Sequence, residues 1–229
     1  MASTKPLVLL LGSGSNIGQA VAKKFETSGY NVALAARSLS DHKISDQEWS
    51  YKLDLSTPSA VENLFVKVQK DLGIPNVVIF NAASLIRASG DHPFTVSVED
   101  FETSLKINTI STYAAAKCAV EGFDKLPKSA LKLFLYTGNL LNVSPMPMLL
   151  TLGVGKAASA HIIESGASAY ATKGYRFYYI DERKEDGAPV GMIPNGQAHA
   201  DAFFELASKE EQGPWQWTFV KDKGYVKFN

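Results

Sequence analysis

The chain has 229 residues, which is long enough for one well-buried α/β core. Hydrophobic residues make up 45% and charged residues 20%, a globular composition in which no segment is apolar enough to span a bilayer. Basic and acidic residues both number 23, so the zero net charge gives no reason to expect nucleic acid or membrane partners and permits self-association. The single cysteine, Cys118, excludes an intrachain disulfide, and we expect a cytoplasmic protein.

Short apolar runs alternate with longer helical patterns along the chain. Strands are predicted at 7–11, 31–36, 51–53, 77–80, 131–136, 175–180 and 217–220, and helices at 17–28, 58–72, 101–123, 156–172 and 197–208. Continuous apolar strands between amphipathic helices are typical of a parallel sheet covered on both faces. The pattern therefore predicts a doubly wound, mostly parallel, Rossmann-type α/β fold, with residues 1–229 forming a single domain.

Two segments, at about 140–150 and 181–196, follow predicted strands and are rich in loop-forming residues. In a doubly wound sheet such segments lie over the carboxyl edge, where ligands bind. The first contains the mostly apolar run VSPMPMLL, which favours contact with a small apolar substrate, although its methionines suit core filling equally well.

A glycine-rich loop joins the first predicted strand to the first predicted helix. Glycines allow a tight turn and close approach to a pyrophosphate, and the helix N-terminus offers free N–H groups and partial positive charge. The position of the loop predicts a dinucleotide phosphate site rather than a turn without a ligand. The residues concerned are Gly12, Ser13, Gly14, Ser15, Asn16, Ile17 and Gly18.

Four further motifs follow this loop in a characteristic order. They are Asp54-Leu55 after the third strand, Asn81-Ala82-Ala83 after the fourth, Asn108 in a long helix, and Gly155-Lys156-Ala157-Ala158. With the glycine loop, they resemble the short-chain dehydrogenase/reductase superfamily over nearly the whole chain. The glycine loop departs from that family's pattern at Leu11, which stands for a threonine, and at Asn16, which stands for the middle glycine.

The resemblance implies a role for each motif. Asp54 would contact adenine, Asn81 to Ala83 would lie beside the cofactor, Asn108 would belong to the catalytic tetrad, and Lys156 would hold the nicotinamide ribose and act in catalysis. Read singly, each residue also has a structural interpretation. Asp54 and Asn81 are common turn formers, Asn108 suits a break in helical backbone bonding, and Lys156 suits a solvated helix face.

The end of the second strand bears on which dinucleotide is bound. An acidic residue there would hydrogen-bond the ribose hydroxyls of NAD, but the strand leads into Arg37 and Ser38. A guanidinium can form bidentate, charge-assisted bonds with a phosphate. These residues favour NADP(H), unless Arg37 only stacks on adenine, which would allow both cofactors.

The predicted catalytic centre is incomplete. In the family that the chain resembles, a tyrosine four residues before the lysine donates the proton, and a serine after the fifth strand holds the carbonyl oxygen. Leu152 stands in the tyrosine position, and Asn139 stands where the serine is expected, with Thr137 an alternative if the register slips by two. Asn108, Asn139 and Lys156 are therefore the candidate catalytic residues, without an assigned proton donor.

Two substitutes for the missing donor remain open. A local bulge would bring in Thr151, and the segment after the sixth strand offers Tyr179, Asp181 or Glu182. No metal site is expected, since His161 and Glu164, three residues apart on a helix, are typical of a solvated pair.

Three functions follow from this incomplete centre. The first is an NADP(H)-dependent oxidoreductase acting on a carbonyl or imine. The second is a non-redox isomerase or cyclase on the same scaffold, and the third is a dinucleotide-sensing protein. The resemblance also implies a homodimer or homotetramer, paired through helices at 108–123 and 156–172 that are rich in small residues.

Overall fold

The computed structural model describes residues 5–228. Its strands form one mixed sheet in the order β3-β4-β2-β1-β5-β6-β7-β8-β9, in which the seven inner strands are parallel and the two short edge strands are antiparallel to their neighbours. The strands are β1 Leu7–Leu11, β2 Asn31–Ala36, β3 His42–Lys43, β4 Glu48–Lys52, β5 Val77–Phe80, β6 Leu133–Thr137, β7 Arg176–Arg183, β8 Gln216–Val220 and β9 Gly224–Tyr225.

Helices cover both faces of this sheet, so the predicted single-domain, doubly wound α/β fold is confirmed. The helices are α1 Ile17–Thr27, α2 Ser59–Asp71, α3 Val98–Leu105, α4 Ser111–Phe123, α5 Leu150–Tyr170 and α6 Gly196–Ser208. One core lies between the sheet and α2, α4 and α5, and the other lies between the sheet and α1 and α6. Among residues 5–228, no helix has the length and apolar character needed to cross a membrane.

Predicted and observed elements agree best where apolar runs are continuous. The strands Leu7–Leu11, Asn31–Ala36 and Val77–Phe80 have the predicted bounds, because each is buried along most or all of its length. The two-residue edge strands were missed, since so short a segment carries no periodic signal. Helix α5 begins at Leu150 rather than at residue 156, because packing against the β6–α5 connection overrides the weak helix propensity of its two early glycines.

Strand β7 also differs from the prediction. It continues to Arg183, so residues 181–183 lie in the sheet and not in the loop expected from residue 181. All three are buried although they are charged. The parallel pairing with β8 extends through Arg183, and the charged side chains find partners inside the protein, as described below.

A π-helical segment, Lys106–Ile110, joins α3 to α4 and contains Asn108. Helix α5 crosses this segment at Gly155, where an added Cβ would lie 2.5 Å from the Cβ of Asn108. Only a residue without a side chain allows so close an approach. Gly155 therefore sets the distance between α5 and the segment that carries Asn108.

This contact gives a test of the packing. We expect Gly155→Ala to lower the free energy of unfolding by about 1–3 kcal/mol, because the new methyl overpacks against Asn108. Gly153→Ala on the same helix is the matched control, since its added Cβ would meet only ordinary contacts at 3.9 Å. That control should be neutral or stabilising by up to about 1 kcal/mol. Equal effects of the two changes in urea denaturation would contradict the close approach.

Candidate functional site

The glycine loop lies at the carboxyl edge of the sheet, between β1 and α1. Gly12 has a φ of +93°, and an added Cβ would clash with the backbone of Ala82, so only glycine fits. The backbone N–H groups of Gly12 and Ser13 donate to the carbonyl of Ala35 at 2.8 and 3.2 Å, which fixes the loop against the end of β2. Asn16, the N-cap residue of α1, makes no side-chain capping hydrogen bond, and the N–H of Gln19 in the first turn donates to the carbonyl of Gly14 at 3.1 Å. A helix N-terminus without a side-chain cap suits an anionic ligand.

A cavity of about 900 Å³ opens beside this loop. Ten of the predicted cofactor-binding residues line it: Gly12, Ser13, Gly14, Arg37, Ser38, Asp54, Leu55, Asn81, Ala82 and Ala83. Four others lie at the start of α1 outside the lining, with Ser15 and Asn16 exposed and Ile17 and Gly18 buried. Ser84, Leu85 and Ile107 also line the cavity and were not predicted, because neither turn chemistry nor charge marks them in the sequence.

One end of the cavity is polar and carries Arg37 and Ser38, both exposed. Asp54 accepts hydrogen bonds from the backbone N–H and hydroxyl of Ser56, at 2.9 and 2.8 Å, and these bonds lower its pKa. Asp54 thus caps the turn after β4 while it lines the cavity, so its structural and its functional interpretation both stand. The end of β2 carries no carboxylate.

A chain of hydrogen bonds links the glycine loop to α5. The side-chain amide of Asn81 donates to the carbonyl of Gly12 at 2.9 Å, and the hydroxyl of Thr137 donates to Asn81 Oδ1 at 2.8 Å. The ammonium of Lys156 donates to the carbonyl of Thr137 at 2.6 Å. Asn81 is therefore more than a turn former, because it ties the ends of β1, β5 and β6 into one constellation.

Asn108 is wholly buried and acts as a clamp. Its side-chain oxygen accepts from the N–H of Ser84 at 2.7 Å, while its side-chain nitrogen donates to the carbonyl of Ser84 at 2.8 Å and to Ser104 at 3.0 Å. Its backbone carbonyl accepts from the hydroxyls of Thr112 and Ser159 at 2.9 and 2.7 Å. Asn108 thus positions the segment after β5. The π-helical segment around it is also the break in α-helical bonding that its structural interpretation predicts.

Lys156 is only 3% exposed, so its interpretation as a solvated helix residue is wrong. Its Nζ lies 4.6 Å from the centre of the Tyr136 ring. Burial lowers the pKa of Lys156 to about 7, and the charge of Asp181 opposes part of that shift. A buried amine with a pKa near neutrality can gain and release a proton under physiological conditions.

Leu152 and Asn139 are the residues that the sequence aligns with the tyrosine and serine positions of the family it resembles. Leu152 is buried one helical turn before Lys156. Asn139 Oδ1 accepts a hydrogen bond from the N–H of Leu141 at 3.1 Å. The hydroxyl of Tyr179 donates to the Asn139 carbonyl at 2.8 Å and accepts from its N–H at 3.1 Å, so it fixes the Asn139 backbone.

A buried charged cluster at the end of β7 was only partly anticipated. Asp181 Oδ2 accepts a hydrogen bond of 2.5 Å from Arg183 Nε and forms an ion pair with Arg183 Nη2 at 2.5 Å, and Asp181 Oδ1 has no partner within the described residues. Glu182 accepts from the N–H of Asn195 at 2.7 Å and lies 3.4 Å from His199. Burial lowers the pKa of His199 to about 4, so this imidazole is neutral at pH 7.

His199 was missed as a member of this cluster because Glu182, the charged residue that it faces, lies on a different element of the fold. Its Nδ1 lies 2.9 Å from the carbonyl of Asn195, the N-cap residue of α6. Asn16, on the glycine loop, donates to the carbonyl of Pro194 at 2.8 Å, and an added Cβ at Gly196 would lie 2.5 Å from Asn16. The start of α6 is therefore fixed to both β7 and the glycine loop. Within residues 5–228, no group of three or more His, Cys, Asp or Glu is arranged to hold a metal ion.

Comparison with known proteins points to the same family that the sequence motifs resemble. A family profile described as Enoyl-(Acyl carrier protein) reductase matches residues 12–211. The chain is 44% identical over 237 residues to the short chain dehydrogenase/reductase dmxR12 of Cryptosporiopsis sp. (strain 8999), and the match covers 98% of this chain and 96% of that protein.

Solved structures share the fold at low identity. An alcohol dehydrogenase from the archaeon Thermococcus sibiricus, complexed with 5-hydroxy-NADP, has a TM-score of 0.77 at 18% identity, covering 98% of this chain and 100% of that one. A short chain dehydrogenase from Leptospira borgpetersenii with bound NAD+ also has a TM-score of 0.77 at 18% identity, covering 98% and 94%. Together with the glycine loop, the Asn81–Thr137–Lys156 chain and the doubly wound sheet, these matches show that the chain belongs to the short-chain dehydrogenase/reductase family of oxidoreductases.

Proposed function

We propose that the protein is an NADP(H)-dependent oxidoreductase that transfers a hydride to or from a carbonyl or imine of a small apolar molecule. The observation that carries the proposal is the cavity at the glycine loop, whose far end presents Arg37 and Ser38 without a carboxylate at the end of β2. When bound, the dinucleotide would supply or accept the hydride. The uncapped N-terminus of α1 suits its pyrophosphate, and Arg37 suits its 2′-phosphate.

The two solved relatives were obtained with different dinucleotides, one with 5-hydroxy-NADP and one with NAD+. The family fold therefore accepts either cofactor, and the local residues decide between them. A guanidinium at the end of β2 favours a phosphate over ribose hydroxyls, because its paired N–H groups match two phosphate oxygens.

The substrate proposal rests on the two connections that follow β6 and β7. They expose several large apolar side chains near the carboxyl edge of the sheet: Val143, Met146, Met148, Met192 and Ile193. Exposed apolar groups near a ligand-binding edge favour an apolar substrate, and flexible methionines adapt to its shape. The free amide N–H groups of Asn139 would hold the reacting oxygen.

The leucine in the tyrosine position favours a second candidate, a non-redox isomerase or cyclase on the same scaffold, and a third, a dinucleotide sensor. An assay separates these functions. Incubation with NADPH and a panel of aldehydes, ketones and imines should consume NADPH if the protein is an oxidoreductase. Conversion of a compound without loss of NADPH would support the second candidate.

Cofactor preference gives the first functional prediction. The protein should bind NADPH about ten- to hundredfold more tightly than NADH, because a charge-assisted phosphate contact contributes roughly 1.5–3 kcal/mol. Arg37→Ala should reduce that ratio in a fluorescence titration. Lys128→Ala is the matched control, since Lys128 is an exposed cation in the loop before β6, at the opposite edge of the sheet. Equal affinities of the unchanged protein for both cofactors would contradict the prediction.

Stability provides a second prediction. Replacing a lysine that is buried at a cost to stability should stabilise the protein. Lys156→Met should therefore raise the free energy of unfolding at pH 7 by a few kcal/mol, on the order of 1.4 kcal/mol for each unit by which burial lowers the pKa of Lys156. Because the folded-state pKa is depressed to about 7 from 10.5, the unfolded chain binds more protons between these values. Stability of the unchanged protein should therefore rise with pH over that range.

Urea denaturation at pH 7 and pH 9.5 measures both effects. Lys156→Met should lose the rise with pH that the unchanged protein shows. A loss of stability in Lys156→Met at pH 7 would contradict the cost assigned to the buried amine.

We further propose that the protein forms a homodimer or homotetramer through α4 and α5. A groove of about 550 Å³, lined mainly by apolar atoms of these helices, runs between them, and Tyr113 beside it is 60% exposed.

Analytical ultracentrifugation at micromolar concentration should show a dimer or tetramer. Ala169→Glu, in the groove, should shift the population toward monomer, because it places a charge in an apolar contact. Ser208→Glu, exposed on α6 at the other face, is the control. Monomer alone for the unchanged protein would refute the proposal.

A further inference from the structure

Four hydroxyl protons near Lys156 are committed to other acceptors. Among residues 5–228, Thr137 donates to Asn81 at 2.8 Å, Thr151 to the Ile86 carbonyl at 2.8 Å, Ser159 to the Asn108 carbonyl at 2.7 Å, and Tyr179 to the Asn139 carbonyl at 2.8 Å. Thr151 and Ser159 are also wholly buried. The two hydroxyl substitutes considered from the sequence, Thr151 and Tyr179, therefore have no proton directed at a substrate.

The remaining titratable groups near Lys156 are equally unsuited. The Tyr136 hydroxyl has no hydrogen-bond partner within residues 5–228, but Tyr136 is wholly buried and burial raises its pKa, so this phenol is poorly placed to exchange a proton with a substrate. His199 is neutral at pH 7, and its Nδ1 lies at the Asn195 carbonyl. Glu182 accepts the N–H of Asn195, and Asp181 is paired with Arg183. This leaves Lys156, whose Nζ has three N–H groups and one acceptor in the structure.

We propose that Lys156 is itself the proton donor to the substrate oxygen, with Asp181 as its buried counter-charge. The assignment rests on the proposed oxidoreductase function. The position of the amine supports it, since the bond to Thr137 holds Nζ at the carboxyl end of β6, one residue before Gly138-Asn139. Asn139 is the residue whose free amide would hold the same substrate oxygen.

Asp181 has a feature that suits this role. Among residues 5–228, its buried Oδ1 has no hydrogen-bond partner, although Oδ2 accepts a hydrogen bond from Arg183 and is ion-paired with it. A buried oxygen left unpaired is costly, which indicates a functional constraint. The negative charge raises the pKa of Lys156 against the opposing effect of burial, and so keeps the amine protonated for part of the time at pH 7. Within residues 5–228, the other titratable groups that face this pair are His199 on α6, Tyr136 on β6, and Tyr179, Glu182 and Arg183 on β7.

The reaction step balances without a phenol. In the reducing direction, a bound dihydronicotinamide would act as the reductant and would supply the hydride that forms a C–H bond at the carbonyl carbon. The C=O π bond breaks onto oxygen, and that oxygen takes a proton from Lys156 Nζ. The resulting neutral amine regains a proton from water, and the nicotinamide is left oxidised.

The experiment measures kcat for NADPH oxidation between pH 5.5 and 9.5, with benzaldehyde and diacetyl as probe carbonyls. The rate of the unchanged enzyme should be level at low pH and fall above an apparent pKa near 7, because the donor must be protonated. Lys156→Arg keeps the positive charge but cannot release a proton at neutral pH, so kcat should fall about 10²–10⁴-fold while NADPH still binds. Lys132→Arg is the control, since Lys132 is another buried lysine at the opposite end of β6.

Two further variants test for a role beyond structure. Asp181→Asn should move the fall in kcat to lower pH, because it removes the charge that keeps the amine protonated. Lys156→Ala should regain activity when ethylammonium is added, and the pH midpoint should then follow the added amine. Activity of Lys156→Arg within about threefold of the unchanged enzyme, with the same pH profile, would overturn the assignment while leaving the oxidoreductase function intact. Absence of NADPH oxidation by the unchanged enzyme, despite binding, would overturn the proposed function and the assignment with it.

Discussion

The approach of helix α5 to the π-helical segment at Gly155 governs the geometry of the whole site. Because Gly155 has no side chain, α5 can lie directly against Asn108, and the next residue, Lys156, is carried to the carbonyl of Thr137. Asn108 in turn holds the segment after β5 through both of its side-chain groups. One close contact between helices thus sets the positions of the lysine and of one cavity wall.

A second constraint is electrostatic. Lys156, Asp181 and Arg183 are all buried, and Arg183 donates a hydrogen bond to Asp181. Three ionisable side chains are therefore withdrawn from water near the end of β7. Burying charges costs free energy that their attraction repays only in part. Proteins retain such arrangements where a perturbed pKa or a fixed orientation is needed, which agrees with the position of this cluster beside the glycine loop and Asn139.

The same edge of the sheet gathers groups that are far apart in the chain. Hydrogen bonds join the glycine loop to Asn81 and Thr137, and Asn16 to Pro194 at the start of α6. Movement of α6 would therefore displace the glycine loop as well. A dinucleotide in the cavity and a substrate beside residues 140–150 would meet at this network, since parallel strands bring their carboxyl ends to one edge.

The sequence by itself determined the fold and most of the cofactor cavity. Continuous apolar strands such as Val77–Phe80 and amphipathic helices such as α2 have periods that are visible in one dimension, and glycines after a first strand have a direct conformational reason. The sequence also shows that Leu152, not a tyrosine, stands four residues before Lys156, and that the polar residues Arg37 and Ser38 follow the second strand.

Only the tertiary structure decided which of the candidate groups lie together and in what state. That Lys156 is buried, that Asp181 to Arg183 belong to a strand, and that His199 faces Glu182 depend on long-range packing, which leaves no local pattern. Burial and neighbouring charge, not residue type, set the protonation of such groups, and both quantities exist only once the chain is folded.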